Sequence, residues 1–199
     1  QLSASGNLWL FHDEELSVET NASGCISSKS DEELDGVSYK SIHKEKLLRL
    51  KDIPFAKLKG KTLMLDIRHV NACKNELVAV SQFVEAIGSI TAFKDGSIEV
   101  IILLNNMDWI VPFQSLSFPV IYYGAGFSYS EGIVNQYGFD GMIIKNSEIS
   151  KEQVAKLKSQ GKKVIIFEVR SPKGIRTALK KQPDYLVTDD LRATIIEKY

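Results

Sequence analysis

A histidine and a carboxylate stand together where an apolar stretch of the sequence ends, and this pair is the first candidate for chemistry. His12 and Asp13 directly follow the apolar run at residues 8–11. Because the imidazole of a histidine ionises near neutral pH, His12 is a candidate general acid or base that Asp13 could orient. The alternative is a histidine that is solvated or satisfied in the core, with Asp13 capping a turn.

A second carboxylate lies inside an apolar run at residues 62–67. Burying Asp66 there without a cation or a donor would be costly, which makes it the best candidate metal ligand. Oxygen ligation suits Mg²⁺ or Ca²⁺. Arg68 follows two residues later, on the same face of a strand, and could instead form an ion pair with Asp66. Arg68 could also bind a phosphate with two parallel hydrogen bonds.

The elements that must position these side chains form a regular alternation from residue 61 onward. Short, almost wholly apolar runs are separated by amphipathic segments of helical length, a pattern typical of parallel strands covered on both faces. The predicted strands are 62–67, 100–104, 120–123, 141–144, 164–169 and 185–188, and the predicted helices are 75–88, 107–116, 130–137, 150–160, 173–181 and 190–198.

Two α/β architectures fit this alternation, an open doubly wound sheet and a (β/α)8 barrel. A doubly wound nucleotide-binding sheet should carry a glycine-rich turn after its first strand, and residues 66–71 contain no glycine. The glycines within residues 124–127 are better explained by a plain turn. In a barrel, polar residues at the carboxyl ends of the strands converge on one mouth, and such residues are Asp66, Arg68, Asn105, Glu168, Arg170 and Asp189. The sequence therefore favours a TIM-like barrel.

Composition narrows the class of protein further. The chain has 199 residues, with 25 Lys and Arg against 25 Asp and Glu, so it lacks the positive field that a sequence-independent nucleic-acid binder needs. Its apolar runs are too short to cross a bilayer. We expect one domain over residues 1–199, with 14–60 as an irregular inserted segment. Cys25 and Cys73 are too few for a disulfide scaffold and too far apart for a metal knuckle.

Residues 7–16, Asn-Leu-Trp-Leu-Phe-His-Asp-Glu-Glu-Leu, resemble the His-Asp strand of the glycerophosphodiester phosphodiesterases, which are phospholipase-C-like TIM barrels. The rest of the chain agrees with that family in order. Residues 3–6 stand at its Thr-x-Asp-Gly-like turn, 14–60 at its small insertion, 66–68 at its Glu-x-Lys, 167–170 at its Trp-Thr-Val-Asn, and 183–190 at its closing strand and Thr-Asp turn.

The resemblance implies metal-dependent hydrolysis of a small-molecule glycerophosphodiester to an alcohol and glycerol phosphate, with Mg²⁺ or Ca²⁺ as the cofactor. It implies that His12 is catalytic, that Asp66 binds the metal, and that Arg68 contacts the phosphate. Phe167 would stack on the substrate headgroup, or else be an aromatic residue of the barrel core. Asp66 and Arg68 replace the family's Glu and Lys. These departures favour the alternative of a weakened or inactive relative that serves as a binding or scaffold barrel.

The family's first two strands, which end in His-Arg-Gly and Glu-x-Asp, would lie before Gln1. The resemblance therefore predicts strands 3–8 of the barrel together with the His-Asp hairpin and the insertion. Family members occur on both sides of the bacterial inner membrane, and for this chain we expect export.

Overall fold

The structure, a computed structural model, describes residues 1–67, 70–71, 73, 76–77 and 79–198. The chain forms two compact units. Unit 1 comprises Gln1–Leu63 and Ile67–Val100, and unit 2 comprises Met64–Asp66 and Ile101–Tyr199. The single domain over residues 1–199 stays a prediction.

A six-stranded sheet carries the alternating part of the chain. Its strands are β3 (Thr62–Asp66), β6 (Glu99–Leu104), β7 (Val120–Tyr123), β8 (Gly141–Lys145), β9 (Lys163–Val169) and β10 (Tyr185–Thr188). They lie in the order β10-β9-β8-β7-β6-β3, and each neighbouring pair from β6 to β10 is parallel. All six predicted strands are confirmed, and so is the TIM-like α/β fold class.

One face of this sheet carries an apolar cluster built from alternate residues of successive strands. In a parallel sheet, alternation places residues i and i+2 on the same face. The buried members are Ile101, Leu103, Ile121, Ile143 and Ile165, and Met64, Tyr123, Phe167 and Tyr185 pack against them half-buried. We call this side the inner face of the sheet. Layers of branched side chains are typical of the inside of a barrel of this type.

Helices connect the strands of unit 2, as the alternation predicts. They are α4 (Ile110–Gln114), α5 (Phe127–Tyr137), α6 (Lys151–Ser159), α7 (Pro172–Lys180) and α8 (Leu191–Lys198), with 3-10 turns at Met107–Trp109 and Asn146–Glu148. Ser150 and Gln153 form a reciprocal capping box that fixes the start of α6. Across the described part of the chain, no helix is both long enough and apolar enough to span a bilayer.

Unit 1 is built from short elements. Its strands are β1 (Trp9–Leu10), β2 (Leu48–Arg49), β4 (Val70–Asn71) and β5 (Glu76–Leu77), and its helices are α1 (Asp31–Asp35), α2 (Val80–Gly88) and α3 (Thr91–Lys94). Further 3-10 turns lie at Leu16–Val18, Ile26–Ser28, Leu50–Asp52 and Phe55–Leu58. The predicted helix over 75–88 is wrong at its start, because β5 pairs with β4 as an antiparallel hairpin and the helix begins at Val80.

The segment at 14–60 has little regular structure but has a core of its own. Trp9 and Phe11 of the first strand region pack with buried side chains of this segment, which are Leu16, Ile26, Leu34, Val37 and Leu47. Cys25 is bonded to Cys73, 48 residues away. The segment is therefore fixed by apolar burial and by a covalent link that its local sequence does not reveal.

A buried carboxylate organises this core. Asp31 Oδ1 accepts hydrogen bonds from Ser3 Oγ at 2.6 Å and from Trp9 Nε1 at 3.0 Å. Asp31 Oδ2 accepts one from Asn7 Nδ2 at 2.5 Å, and Arg49 Nη1 lies 3.8 Å from it. Burial acts to raise the pKa of the Asp31 carboxyl, but these donors and the guanidinium outweigh it, so its pKa lies below the ordinary value of an aspartic acid.

We expect Asp31→Asn to lower the free energy of unfolding at neutral pH by about 2 kcal/mol, because an amide cannot accept from all of these donors. The lowered pKa sets the sign of the pH dependence. The stability that the carboxylate contributes is present above the unfolded-state pKa and is lost as the pH falls through the folded-state pKa. Urea denaturation at several pH values below and above 4 checks this. Asp35→Asn, an exposed position on the same helix, should leave the pH profile unchanged.

Candidate functional site

His12 lies in unit 1, just beyond β1, and its side chain is 75% exposed. Its Nδ1 lies 2.9 Å from Asp13 Oδ1. Because an ionised carboxylate only accepts hydrogen bonds, this contact favours the tautomer with the ring hydrogen on Nδ1. Asp13 is therefore in hydrogen-bond contact with the His12 ring, and its orienting role stays a prediction. The catalytic role of His12 stays a prediction.

Asp66 is the last residue of β3, at the carboxyl end of the sheet, and it is exposed. The expectation that this carboxylate is buried is therefore wrong. Asp66 follows Met64 by two residues, so it continues the inner face beyond the apolar cluster. Because the Asp66 carboxylate is exposed to water, no cation is needed to offset a cost of burying it. Its role as a metal ligand stays a prediction. Arg68, the predicted phosphate contact, lies outside the described residues.

The described residues can be tested for a divalent-cation site from their ligand atoms. Among them, one group of three His, Cys, Asp or Glu side chains places its ligand atoms within 4.8 Å of one another, and it consists of Glu15, Cys25 and Cys73. The two cysteines are bonded to each other, so they are not thiolate ligands. Mg²⁺ and Ca²⁺ take six or more oxygen ligands. The described residues therefore do not assemble three protein ligands for a cation at Asp66, and we assign no step to one.

Phe167 lies near the carboxyl end of β9 and is half-buried. Its ring meets that of Tyr123 edge-to-face, with the centroids 5.5 Å apart, and both pack against the inner-face cluster. This packing is the core role that the sequence left open for Phe167. Its partial exposure at the carboxyl end is compatible with a ligand contact as well, and that role stays a prediction.

An ion pair that the sequence does not predict lies at the same end of the sheet. Lys145 Nζ, at the end of β8, lies 3.4 Å from Glu168 Oε1 at the end of β9. The predicted strand stopped at residue 144, one residue before the lysine. A lysine that immediately follows an apolar run and precedes a turn is the signal that could have identified it.

Arg170 and Asp189 form a second pair beyond the ends of β9 and β10. Arg170 Nε lies 3.3 Å from Asp189 Oδ2, and both side chains are 76% exposed. Such an open pair contributes little to stability. It leaves the guanidinium in contact with solvent at the end of the sheet where the sequence predicts a mouth.

The turn at residues 124–127 is a helix start and not a phosphate loop. Gly126 has φ +73° and precedes α5, which begins at Phe127. The Gly126 backbone N–H donates to Glu148 Oε2 at 2.8 Å. A side-chain carboxylate thus already occupies the place that an anion would take at this helix terminus, which confirms the plain-turn interpretation.

Unit 1 also contains a groove of about 360 Å³ lined by Asn7, Leu50, Lys51, Gln82 and Glu85, among others. Of the predicted site residues that the structure describes, His12, Asp66 and Phe167, none lines it. The candidate site residues lie elsewhere, with His12 in unit 1 and the others at the carboxyl end of the sheet in unit 2.

No protein-family model matches this sequence, and no curated protein is similar enough to count as a match. Solved structures do match over essentially the whole chain. A phosphodiesterase from Oleispira antarctica, solved in complex with its product sn-glycerol 3-phosphate, gives a TM-score of 0.80 at 20% identity, covering 99% of this chain and 81% of that one.

Two glycerophosphodiester phosphodiesterases match similarly. One from Parabacteroides distasonis gives a TM-score of 0.73 at 19% identity, covering 100% of this chain and 81% of that one. One from Agrobacterium tumefaciens gives 0.70 at 14% identity, covering 100% and 84%. At such identities the likeness concerns the fold, and at that level it confirms the resemblance found in the sequence. This chain has the TIM-like α/β fold of the glycerophosphodiester phosphodiesterases.

Proposed function

We propose that this protein hydrolyses glycerophosphodiesters to an alcohol and glycerol phosphate. The observation that carries the proposal is the likeness, over nearly the whole chain, to a phosphodiesterase whose structure holds sn-glycerol 3-phosphate. The His-Asp motif at residues 12–13 supports it independently, because it supplies a positioned imidazole of the kind that this reaction requires.

The reaction needs two proton transfers and a means of offsetting phosphoryl charge. Water attacks phosphorus, the bond from phosphorus to the alcohol oxygen breaks, and the proton lost by water is balanced by one gained by the leaving alkoxide. His12 is proposed to move a proton at Nε2, with Asp13 holding Nδ1. A cation or positively charged side chains must stabilise the negative charge on the phosphoryl oxygens.

The test is the release of choline, ethanolamine or glycerol from the corresponding glycerophosphodiesters, with Mg²⁺, with Ca²⁺ and with EDTA. Release of alcohol and glycerol phosphate in equal amounts supports the proposal. Failure to hydrolyse any of these substrates with either ion would overturn it. Loss of activity in EDTA would show that hydrolysis needs the divalent cation that the resemblance implies. If Asp66 binds that cation, Asp66→Asn should raise the ion concentration needed for half-maximal activity.

A second candidate function is that of a binding or scaffold barrel without turnover. It is favoured by one observation, namely that the described residues place no three-ligand cation site at Asp66. Calorimetric titration with sn-glycerol 3-phosphate distinguishes the two. Binding of the product analogue without any hydrolysis of the diesters supports the scaffold, and turnover excludes it.

We also propose that the protein is exported, as expected from the sequence. The proposal is supported by the Cys25–Cys73 disulfide, because such bonds persist mainly in oxidising compartments. Thiol trapping in intact cells, followed by mass spectrometry, should recover the two cysteines linked and unlabelled in a fraction outside the cytoplasm. Recovery of both as free thiols in the cytoplasm would contradict it.

A further inference from the structure

Lys145 ends β8 on the inner face of the sheet. In the pairing of β8 with β9, Lys145 lies opposite Phe167, two residues beyond the pair of Ile143 with Ile165. Ile143 and Ile165 belong to the inner-face cluster. Since residues two apart in a strand share a face, Lys145 extends that face past its last apolar layer. Its side chain is 39% exposed, so the ammonium is accessible at the carboxyl end.

A β-bulge in β9 positions Glu168, the partner of Lys145. The pairing of β9 with β10 moves from Ile166 opposite Leu186 to Val169 opposite Thr188. Two residues of β9, Phe167 and Glu168, therefore stand against one residue of β10. Glu168 has φ +62°, a value that a residue with a side chain seldom adopts. In a regular strand Glu168 would point away from the face of Phe167, and bulges of this kind redirect a side chain.

The resulting contact leaves the ammonium able to bind something else. Lys145 Nζ and Glu168 Oε1 are 3.4 Å apart. Other lysine–carboxylate pairs of unit 2 are closer, at 2.8 Å for Lys156 with Glu131 and 3.1 Å for Lys158 with Asp184. An ammonium has three hydrogens to donate, of which Glu168 takes at most one.

The position indicates what the ammonium binds. In parallel α/β folds of this type, ligands lie at the carboxyl ends of the strands. Phe167, which lies opposite Lys145 in the pairing of β8 with β9, packs edge-to-face on Tyr123, so the ammonium stands directly above an aromatic layer of the inner face. The described residues also supply no three-ligand cation site at Asp66 to neutralise a phosphoryl group.

We infer that Lys145 binds the phosphoryl oxygens of the substrate and that Glu168 is the counter-charge that a phosphate displaces from it. The inference rests on the proposed function for its substrate, and it names a residue that contacts the phosphate. Glu168 holds the ammonium at the carboxyl end of the sheet when no ligand is bound. When a phosphate arrives, Lys145 exchanges the carboxylate for the phosphoryl oxygens.

The test uses two substitutions that break the same ion pair, Lys145→Gln and Glu168→Gln, in calorimetric titrations with sn-glycerol 3-phosphate and with inorganic phosphate. Lys145→Gln should weaken binding by at least about tenfold, because a charge-assisted contact is lost. Glu168→Gln should tighten binding by about threefold, because a repelling charge is removed. If the ion pair were purely structural, both substitutions would change phosphate binding in the same direction.

Lys158→Gln is the matched control. Lys158 is also paired with a carboxylate and is also 39% exposed, but it lies on α6 and contacts Asp184 before the start of β10. It should bind phosphate as the wild type does. The inference is overturned if Lys145→Gln binds like Lys158→Gln, if Glu168→Gln weakens binding, or if the wild type binds neither probe. Binding is measured without turnover, so a chain that binds through Lys145 but hydrolyses nothing would refute the proposed function and leave this inference standing.

Discussion

Replacing His12 with alanine should lower kcat for glycerophosphodiester hydrolysis by about 10²- to 10⁴-fold, the range that a positioned general acid or base contributes. KM should change little, because proton transfer stabilises the transition state and not the bound substrate. Stability should also change little, since the side chain is 75% exposed. Steady-state kinetics on the complete protein, with circular dichroism as a check on folding, measures both.

His43→Ala is the matched control for that experiment. His43 is also an exposed histidine of unit 1, and it lies in the turn within the irregular segment. Its substitution should leave the rate unchanged. Added imidazole should partly restore the His12→Ala variant, which a loss of folding would not allow. A His12→Ala enzyme as active as the His43→Ala enzyme would show that the histidine is only a solvated surface residue.

The regular part of the fold could be predicted because its signals are local. Each strand of the six-stranded sheet is a short apolar run, and the inner-face residues from Ile101 to Ile165 alternate as a buried sheet requires. Helix starts such as Ser150 carry their own capping residues. The start of the helix predicted at residue 75 was wrong because the pairing of Glu76–Leu77 with Val70–Asn71 overrides the local preference.

The candidate site was only partly predictable, since it depends on which side chains leave the core. Asp66 was expected to be buried because its neighbours in sequence are apolar, yet it ends its strand and is exposed. Lys145 was missed because it lies one residue past the predicted strand. The contact of Glu168 with Lys145 requires a bulge in β9, and the shift of register between β9 and β10 leaves no mark in the sequence of either strand.

The disulfide is the clearest case of a constraint hidden from local sequence. Cys25 lies in the irregular segment and Cys73 follows β4, and their separation of 48 residues exceeds any short motif. Nothing in either neighbourhood marks them as partners. The bond joins the segment to the part of unit 1 that follows β3, and it thereby limits the conformations of the unfolded chain.

Removing this bond in a Cys25→Ser, Cys73→Ser variant should therefore lower the free energy of unfolding of unit 1 by about 4 kcal/mol, the loop entropy expected for a closure of this length. The chain has two tryptophans, of which Trp9 is buried in the core of unit 1 and Trp109 lies in unit 2. In a Trp109→Phe background, urea denaturation followed by fluorescence reports the environment of Trp9 alone. The midpoint should fall in the double serine variant.

A reducing agent provides the control within the same experiment. Cys73 is exposed, so dithiothreitol can reach the bond. It should lower the midpoint of the protein that retains both cysteines to that of the double serine variant and leave the latter unchanged. Equal midpoints for the oxidised protein and the variant would show that the 48-residue closure contributes nothing to unit 1. The irregular segment would then be held by the burial of Leu16, Ile26 and Leu34 and by the Asp31 hydrogen bonds alone.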